Sequence, residues 1–281
     1  MTNQHYTLIG HPLGHSMSPW IHERLFKLSG KQADYNLTDL PPEDLRNRIP
    51  ELKALNGFNI TIPYKTEIIP FLDKLDESAE LYHSVNCVSN GDISIGYNTD
   101  CTGFTRSVPS LNGKILLIGS GGVGRMMAIE AVLHGADLTI SEPNQERAEA
   151  LVQEIKNLKP DCQIRLASAN SLDEAFDLIM NASPVGMFPK TDNCPVSDNL
   201  IQKCSAVFDV IYNPTETLLM KKARAFGKTA VGGASMLVWQ AVRAHEIWYQ
   251  AEFHKQDIEN LISEMEQEIN RLFPIEKETQ A

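Results

Sequence analysis

KILLIGSGGVG, residues 114–124, is the stretch on which the fold turns. The apolar run that follows Lys114 predicts a strand over 114–118, buried on both faces as in the centre of a parallel sheet. The six residues after it fit G-x-G-x-x-G at Gly119, Gly121 and Gly124, and a helix is predicted over Val123–His134, ended by Gly135. A second strand, Leu138–Ser141, runs into Glu142, about 20 positions beyond the glycines. Alone, the glycine pattern also fits a turn with no ligand. Between a strand and a helix, with an acid closing the next strand, it predicts a dinucleotide-binding unit. The glycines let the backbone approach a pyrophosphate, which the helix N-terminus stabilises. Gly119, Ser120, Gly121, Gly122, Val123 and Gly124 are therefore candidate cofactor-binding residues. A carboxylate at Glu142 accepts hydrogen bonds from ribose hydroxyls and repels a 2′-phosphate, which favours NAD over NADP. The plainer reading of Glu142 is a solvated side chain at a strand end.

Downstream, helices are predicted over Arg147–Asn157, Leu172–Phe176 and Leu218–Phe226, and strands over Ile164–Leu166, Leu178–Asn181 and Ala206–Val210. This alternation specifies an α/β fold with a doubly wound parallel sheet. From Met236 the pattern is mostly helical, and the charged end, Glu264–Ala281, is expected to fray. Upstream, strands are predicted at Tyr6–Ile9, Tyr35–Leu37 and Ile60–Ile62, with helices from Pro19, over Pro41–Ile49 and over Ile68–Leu75. Ser84–Ser89 and Ile93–Tyr97 read as a hairpin around the turn dipeptide Asn90-Gly91.

The chain has 281 residues, 42% hydrophobic and 22% charged, with a net charge of −11. That length predicts two domains with ample cores. The acidic balance argues against nucleic-acid binding, which needs a basic surface. Five cysteines without CxxC spacing argue against structural zinc and a disulfide framework. His11, His15 and His22 show no metal-ligand spacing, so no metal is expected, and His15 is given no catalytic role. With neither a signal peptide nor a membrane-length apolar run, a cytoplasmic protein is expected.

Four polar clusters outside the glycine unit carry candidate chemistry. In GFNITIPYK (57–65), Asn59 and Thr61 lie two apart in a β-branched run that Pro63 closes, with Lys65 just beyond. HSMSP (15–19) holds Ser16 and Ser18, SVNC (84–87) holds Asn86, and GYNTD (96–100) ends at Asp100. Each has an ordinary reading: Ser18 as an N-cap, Asn86 as a turn former, Asp100 as a cap, and Lys65 as a surface charge.

Together these stretches resemble the shikimate dehydrogenases, including their quinate/shikimate dehydrogenase branch. The resemblance runs through HSMSPWIH (15–22), GFNITIPYK (57–65), VN (85–86), GYNTD with GF (96–104), GSGGVG (119–124), NASPVGM (181–187), DVIYNPTET (209–217) and GGASMLVWQA (232–241), in order along nearly the whole chain. It implies an N-terminal α/β substrate domain over 1–103, a Rossmann-like nucleotide domain over 104–235, and C-terminal helices over 236–281 packing back on the first. It implies a small anionic cyclic hydroxy-acid substrate lying between the domains, and NAD or NADP as cofactor. By the same resemblance, Ser16 and Ser18 bind the substrate carboxylate. Asn59, Thr61, Asn86 and Gln240 bind its hydroxyls, Tyr212 stands near it, and Lys65 and Asp100 are catalytic. Asn181, Ala182, Ser183 and Gly233 join the cofactor site.

The chemistry suits these residues. Hydride transfer to the ketone of 3-dehydroshikimate leaves an alkoxide unless a proton arrives; a lysine ammonium supplies it, and neutral lysine takes it back in reverse. The chain departs from the family pattern at Glu142-Pro143-Asn144, where an Asn-Arg-Thr triplet suits NADP, at Asn86-Cys87, and at Asn181-Ala182-Ser183-Pro184. The expected activity is shikimate dehydrogenase, the alternatives being an NAD-dependent quinate/shikimate dehydrogenase and a non-catalytic sensor of nucleotide and cyclic acid. A monomer or homodimer, with no nucleic-acid or membrane partner, is expected.

Overall fold

Two six-stranded sheets organise the chain, and the contrast between them follows from how their strands are connected. A computed structural model describes residues 4–14 and 16–274; His15 and 275–281, the last part of the charged end, lie outside the described residues. The chain divides into two compact units. One takes the chain up to Gly103 together with Leu237–Ile262, and the other takes Phe104–Met236 together with the chain from Ser263. The sequence reading kept 236–281 whole, whereas this division falls within the last helix.

In the first unit, β1 (Gln4–Gly10), β2 (Ala33–Asp39) and β3 (Gly57–Ile60) are parallel, joined through α1 (Ser18–Leu28) and α2 (Leu45–Lys53). After α3 (Tyr64–Glu67), β4 (Lys74–Leu75) and α4 (Glu77–Tyr82), the hairpin of β5 (Cys87–Asn90) and β6 (Ser94–Tyr97) adds antiparallel strands. The sheet order is β2-β1-β3-β5-β6-β4, and α5 (Asp100–Ser107) follows it. Ile9, Phe58, Ile60, Tyr64, Ile68, Val85 and Val88 form the core beneath it.

β3 lies earlier than the predicted Ile60–Ile62. Thr61 N still donates to Ile9 O at 2.9 Å, but its carbonyl turns to accept from Tyr64 N, and Pro63 has no N–H to extend the ladder. The helix predicted over Ile68–Leu75 is instead a single 3₁₀ turn, Ile69–Phe71, followed by β4; Pro70 lies in that turn and cannot serve a longer helix.

The second unit is wholly parallel: β7 (Lys114–Ile118), α6 (Gly122–Leu133), β8 (Asp137–Ser141), α7 (Gln145–Leu158), β9 (Ile164–Leu166), β10 (Leu178–Asn181), α8 (Asp198–Lys203), β11 (Ala206–Asp209), α9 (Leu218–Ala225) and β12 (Thr229–Gly232). The order β12-β11-β10-β7-β8-β9 reverses direction between β7 and β10, the switch point at which open α/β sheets bind ligands beyond the strand ends. Ile115, Leu116 and Leu117 are fully buried, as the apolar run requires. Leu172–Phe176 is not a helix. Leu172 and Phe176 nevertheless pack with the core of Ile179, Val207 and Leu219, so their spacing reports burial without helicity.

α10 (Gly233–Tyr249) and α11 (Lys255–Leu272) complete the chain. Past Leu237, α10 belongs to the first unit: Trp248 Nε1 donates to Val88 O at 2.9 Å, and the Trp248 ring stacks on Tyr6 at 4.2 Å. The charged stretch from Glu264 is helical as far as Leu272. Among the described residues, no helix is long and apolar enough to cross a membrane.

Candidate active site

The polar clusters of the first unit converge because three of them sit at the ends of neighbouring elements. Asn59 is on β3, Asn86 immediately precedes β5, and Asp100 begins α5. Lys65 Nζ donates to Asp100 Oδ2 at 2.6 Å, and Asn86 Nδ2 donates to Asp100 Oδ1 at 2.8 Å. The lysine and aspartate side chains keep 29% and 20% of their surface, enough for a ligand to reach the pair. Lys65 is a residue of the short α3, which the turn after Thr61 starts.

Asn86 is fully engaged: its amide also donates to Thr99 Oγ1, and its Oδ1 accepts from Thr99 N at 2.6 Å. Asn86 O in turn accepts from Asn59 Nδ2 at 3.1 Å. Thr99 Oγ1 lies 3.4 Å from Gln240 Oε1, which brings α10 to the same network, while Gln240 Nε2 donates to Leu237 O. Ser18 is not the N-cap. Met17 takes that place, Ser18 opens α1, and Ser18 N donates to Ser16 Oγ at 3.2 Å, leaving the Ser16 O–H to turn elsewhere. Thr61 packs its methyl group over Gly10. Tyr212 belongs to the second unit and is 40% exposed.

In the second unit a cavity of about 470 Å³ opens at the switch point, lined among others by Gly119, Ser120, Gly121, Glu142, Ala182 and Ser183. Gly119 has φ +87°, and a Cβ on Gly124 would stand 2.3 Å from Gly119 O, so the turn and the helix pack at a distance that admits only glycine. At Gly121 and Gly122 a Cβ would meet nothing within 4 Å, so open space borders the backbone at the start of α6. A bare glycine turn, an open cavity and a 12-residue helix N-terminus fit a pyrophosphate. Among the described residues, no group of three His, Cys, Asp or Glu could hold a metal.

Five predicted cofactor residues stand outside that lining, and Gly122 and Gly124 do so within the first turn of α6. Val123 is exposed, Asn181 is fully buried, and Gly233 starts α10 hard against Val210 O, where close backbone contact accounts for the glycine. Asn181 shapes the cavity wall from beneath: its Oδ1 accepts from Ser183 N and Oγ, and its Nδ2 donates to Asp209 Oδ1. Glu142 Oε2 accepts from Ser120 N and Oγ at 2.8 and 2.9 Å, Oε1 accepts from Asn144 N, and Arg147 lies 3.8 Å away. Burial alone would raise its pKa, but these amides, the hydroxyl and the guanidinium together hold the carboxyl below its ordinary value.

Comparison with known proteins bears on this geometry. Residues 8–88 match the domain family described as the shikimate dehydrogenase substrate binding domain. A shikimate dehydrogenase (NADP(+)) of Methanococcus maripaludis (strain C6) is 40% identical over 252 residues, 86% of this chain and 90% of its own. The chain belongs to the shikimate dehydrogenase family. A solved shikimate dehydrogenase in complex with NADP+ is similar at 34% identity and a TM-score of 0.83, over 94% of this chain and 96% of its own. The shikimate dehydrogenase of Listeria monocytogenes, solved with shikimate and NAD, is similar at 30% identity and 0.81, over 92% and 96%.

Within this member of the shikimate dehydrogenase family, sequence reasoning missed Tyr35, Thr99 and Asp209. Thr99 lies inside the GYNTD block, where its acidic neighbour Asp100 carries the stronger chemical signal. Asp209 opens DVIYNPTET and shows its partners only once β10 and β11 are paired. Tyr35 lies on a strand with no motif, so the sequence carries no signal for it.

Proposed function

We propose that the chain catalyses the reversible, nicotinamide-dependent reduction of 3-dehydroshikimate to shikimate. The first unit binds the cyclic acid and the second the nucleotide. The observation that carries this reading is the Lys65–Asp100 pair, backed by Asn86, at the mouth of a polar network. Bound nicotinamide supplies the hydride that adds to the ketone carbon. The Lys65 ammonium then gives the carbonyl oxygen its proton, and in the oxidative direction neutral Lys65 removes the proton from the hydroxyl. Asp100 holds the ammonium by a charge-assisted bond and is itself held by Asn86. Ser16 and Ser18 meet the carboxylate as neutral donors, avoiding a buried counter-ion. Asn59, Thr61 and Gln240 serve the ring hydroxyls.

The cavity in the second unit takes the pyrophosphate over Gly119–Gly121. For the cofactor we propose NAD over NADP, because the ionised Glu142 lines that cavity and repels a 2′-phosphate. Arg147, 3.8 Å from Glu142, offsets part of that repulsion and keeps the preference shallow. Absorbance at 340 nm, with shikimate or quinate offered alongside NAD or NADP, tests substrate and cofactor together. Shikimate with NAD is expected to give the highest kcat/KM; tighter binding of NADP than of NAD would reverse the cofactor assignment. Lys65→Ala is expected to lower kcat by about 10²-fold or more. Near-native turnover in that variant would remove Lys65 from the chemistry. Truncating Ser16 or Ser18 to Ala is expected to raise KM for shikimate chiefly.

A further inference from the structure

Hydrogen bonds connect the candidate substrate-binding side chains of the first unit in a line, and one member of the line is assigned no role above. Tyr35, on β2, donates its hydroxyl to Asn59 Oδ1 at 2.8 Å. The Ser18 side chain bears on the same hydroxyl. Asn59 Nδ2 donates to Asn86 O, Asn86 Nδ2 to Asp100, and Lys65 to Asp100. Tyr35 thus joins the carboxylate-binding end of the site to the catalytic pair.

We propose that Tyr35 is a positioning residue for substrate binding, fixing the amide of Asn59 so that its second Nδ2 hydrogen is offered to a ring hydroxyl. An asparagine amide has two chemically opposite ends, and a flip exchanges a donor for an acceptor. In the unflipped state Oδ1 receives the Tyr35 O–H while one Nδ2 hydrogen is taken by Asn86 O. A flip sets Oδ1 against the Asn86 carbonyl, which has no proton to give, and takes from the Tyr35 O–H the acceptor it now meets, leaving the phenol only to accept from Nδ2. The remaining Nδ2 hydrogen therefore keeps a fixed direction before substrate arrives. This is preorganisation, which limits the ordering cost of binding.

Tyr35 is itself held in place. Its ring stacks on His22 at 4.0 Å and 6°, and His22 Nδ1 is bonded to His245 Nε2 on α10 at 2.8 Å. Burial raises the pKa of the phenol well above its ordinary value, so the hydroxyl stays a donor across the working pH range. A tyrosinate there would face the Asn59 oxygen with no proton to give.

The inference rests on the proposed role of Asn59, and the test separates the two. Shikimate binding is measured by calorimetry on the wild type, Tyr35→Phe, Asn59→Ala and the double variant, with steady-state kinetics in parallel. Tyr35→Phe removes one oxygen and keeps the ring that stacks on His22. It is expected to weaken shikimate binding and raise its KM by about five- to tenfold, the range of one lost hydrogen bond. Both kcat and nucleotide KM are expected to stay within twofold of wild type. In the Asn59→Ala background, Tyr35→Phe is expected to add less than twofold, because the atom it positions is gone. A merely structural tyrosine would give equal losses in both backgrounds. If Asn59→Ala weakens shikimate and Tyr35→Phe does not, or if the two losses simply multiply, the positioning role is wrong. If Asn59→Ala itself binds shikimate normally, the Asn59 assignment has failed first.

Discussion

Asp209 shows how a single residue can be essential to a wall it never reaches. Fully buried at the end of β11, it accepts from Asn181 Nδ2 and Ile211 N through Oδ1 and from Thr217 Oγ1 through Oδ2. It therefore joins the loop that follows β10 to the N-cap of α9. Burial, outweighing those donors, raises its pKa from 3.8 to about 6. A raised carboxylate contributes stability that is full below its unfolded pKa and is lost as pH climbs through the folded value. Asp209→Asn can keep the three contacts by turning the Thr217 hydroxyl, and it has nothing to ionise. Relative to wild type, the variant is expected to gain on the order of 2–3 kcal/mol between pH 4 and pH 8, read by urea unfolding at each pH. A difference that does not change with pH would mean that Asp209 titrates normally. Residues of this kind are not legible in the sequence, because their partners come from separate strands. Lys65, Asp100 and the glycines are legible because their motifs are local and ordered.

At the scale of elements, the turn before α6 and the docking of α10 make separate predictions. Gly124→Ala pushes a methyl group to within 2.3 Å of Gly119 O, a backbone atom that cannot step aside without moving β7. Nucleotide affinity is expected to fall at least tenfold while shikimate binding, proposed for the first unit, holds; fluorescence titration of each ligand separates the two. α10 is tied to α1 by a relay. His22 bonds His245, His245 Nδ1 bonds the Tyr249 hydroxyl, Tyr249 bonds Ser29, and Ser29 Oγ donates to Phe26 O. Every donor in the relay is used when His22 carries its proton on Nδ1, which leaves His22 Nε2, buried and without a partner among the described residues, as a bare acceptor. That choice avoids a buried N–H with nothing to meet.

Burial lowers the His22 pKa to about 3 and, with His22 beside it, lowers that of His245 well below 6.5. A depressed histidine protonates in the unfolded chain first, so its stability contribution is present above about pH 6.5 and declines as pH falls. Unfolding free energy is expected to drop by about 1.4 kcal/mol per pH unit for each of the two between pH 6 and 4.5. His22→Phe is expected to remove about half of that slope in urea titrations. The helical periodicity of α10 was visible in the sequence. This relay was not, because it pairs positions 223 residues apart.

Across the whole molecule, the doubly wound sheet was readable from its apolar runs, and the blocks around it were readable as a family pattern. Element ends were less so. Pro70 and the turn after Thr61 overrode local apolar spacing, and Leu172 and Phe176 pack on the core without a helix between them. The first unit takes its polar network from residues up to 103 and from Leu237–Ile262, with Gln240 and Trp248 in the second group. A ribosome making this chain finishes the Rossmann-like sheet before it delivers the helix that covers the earlier one. The stretch up to Gly103 waits through more than a hundred residues of synthesis with the Trp248 and His245 positions empty. The sheet face around Tyr6 and Val88, and His22 beside it, are then open to chaperones and proteases until that helix arrives.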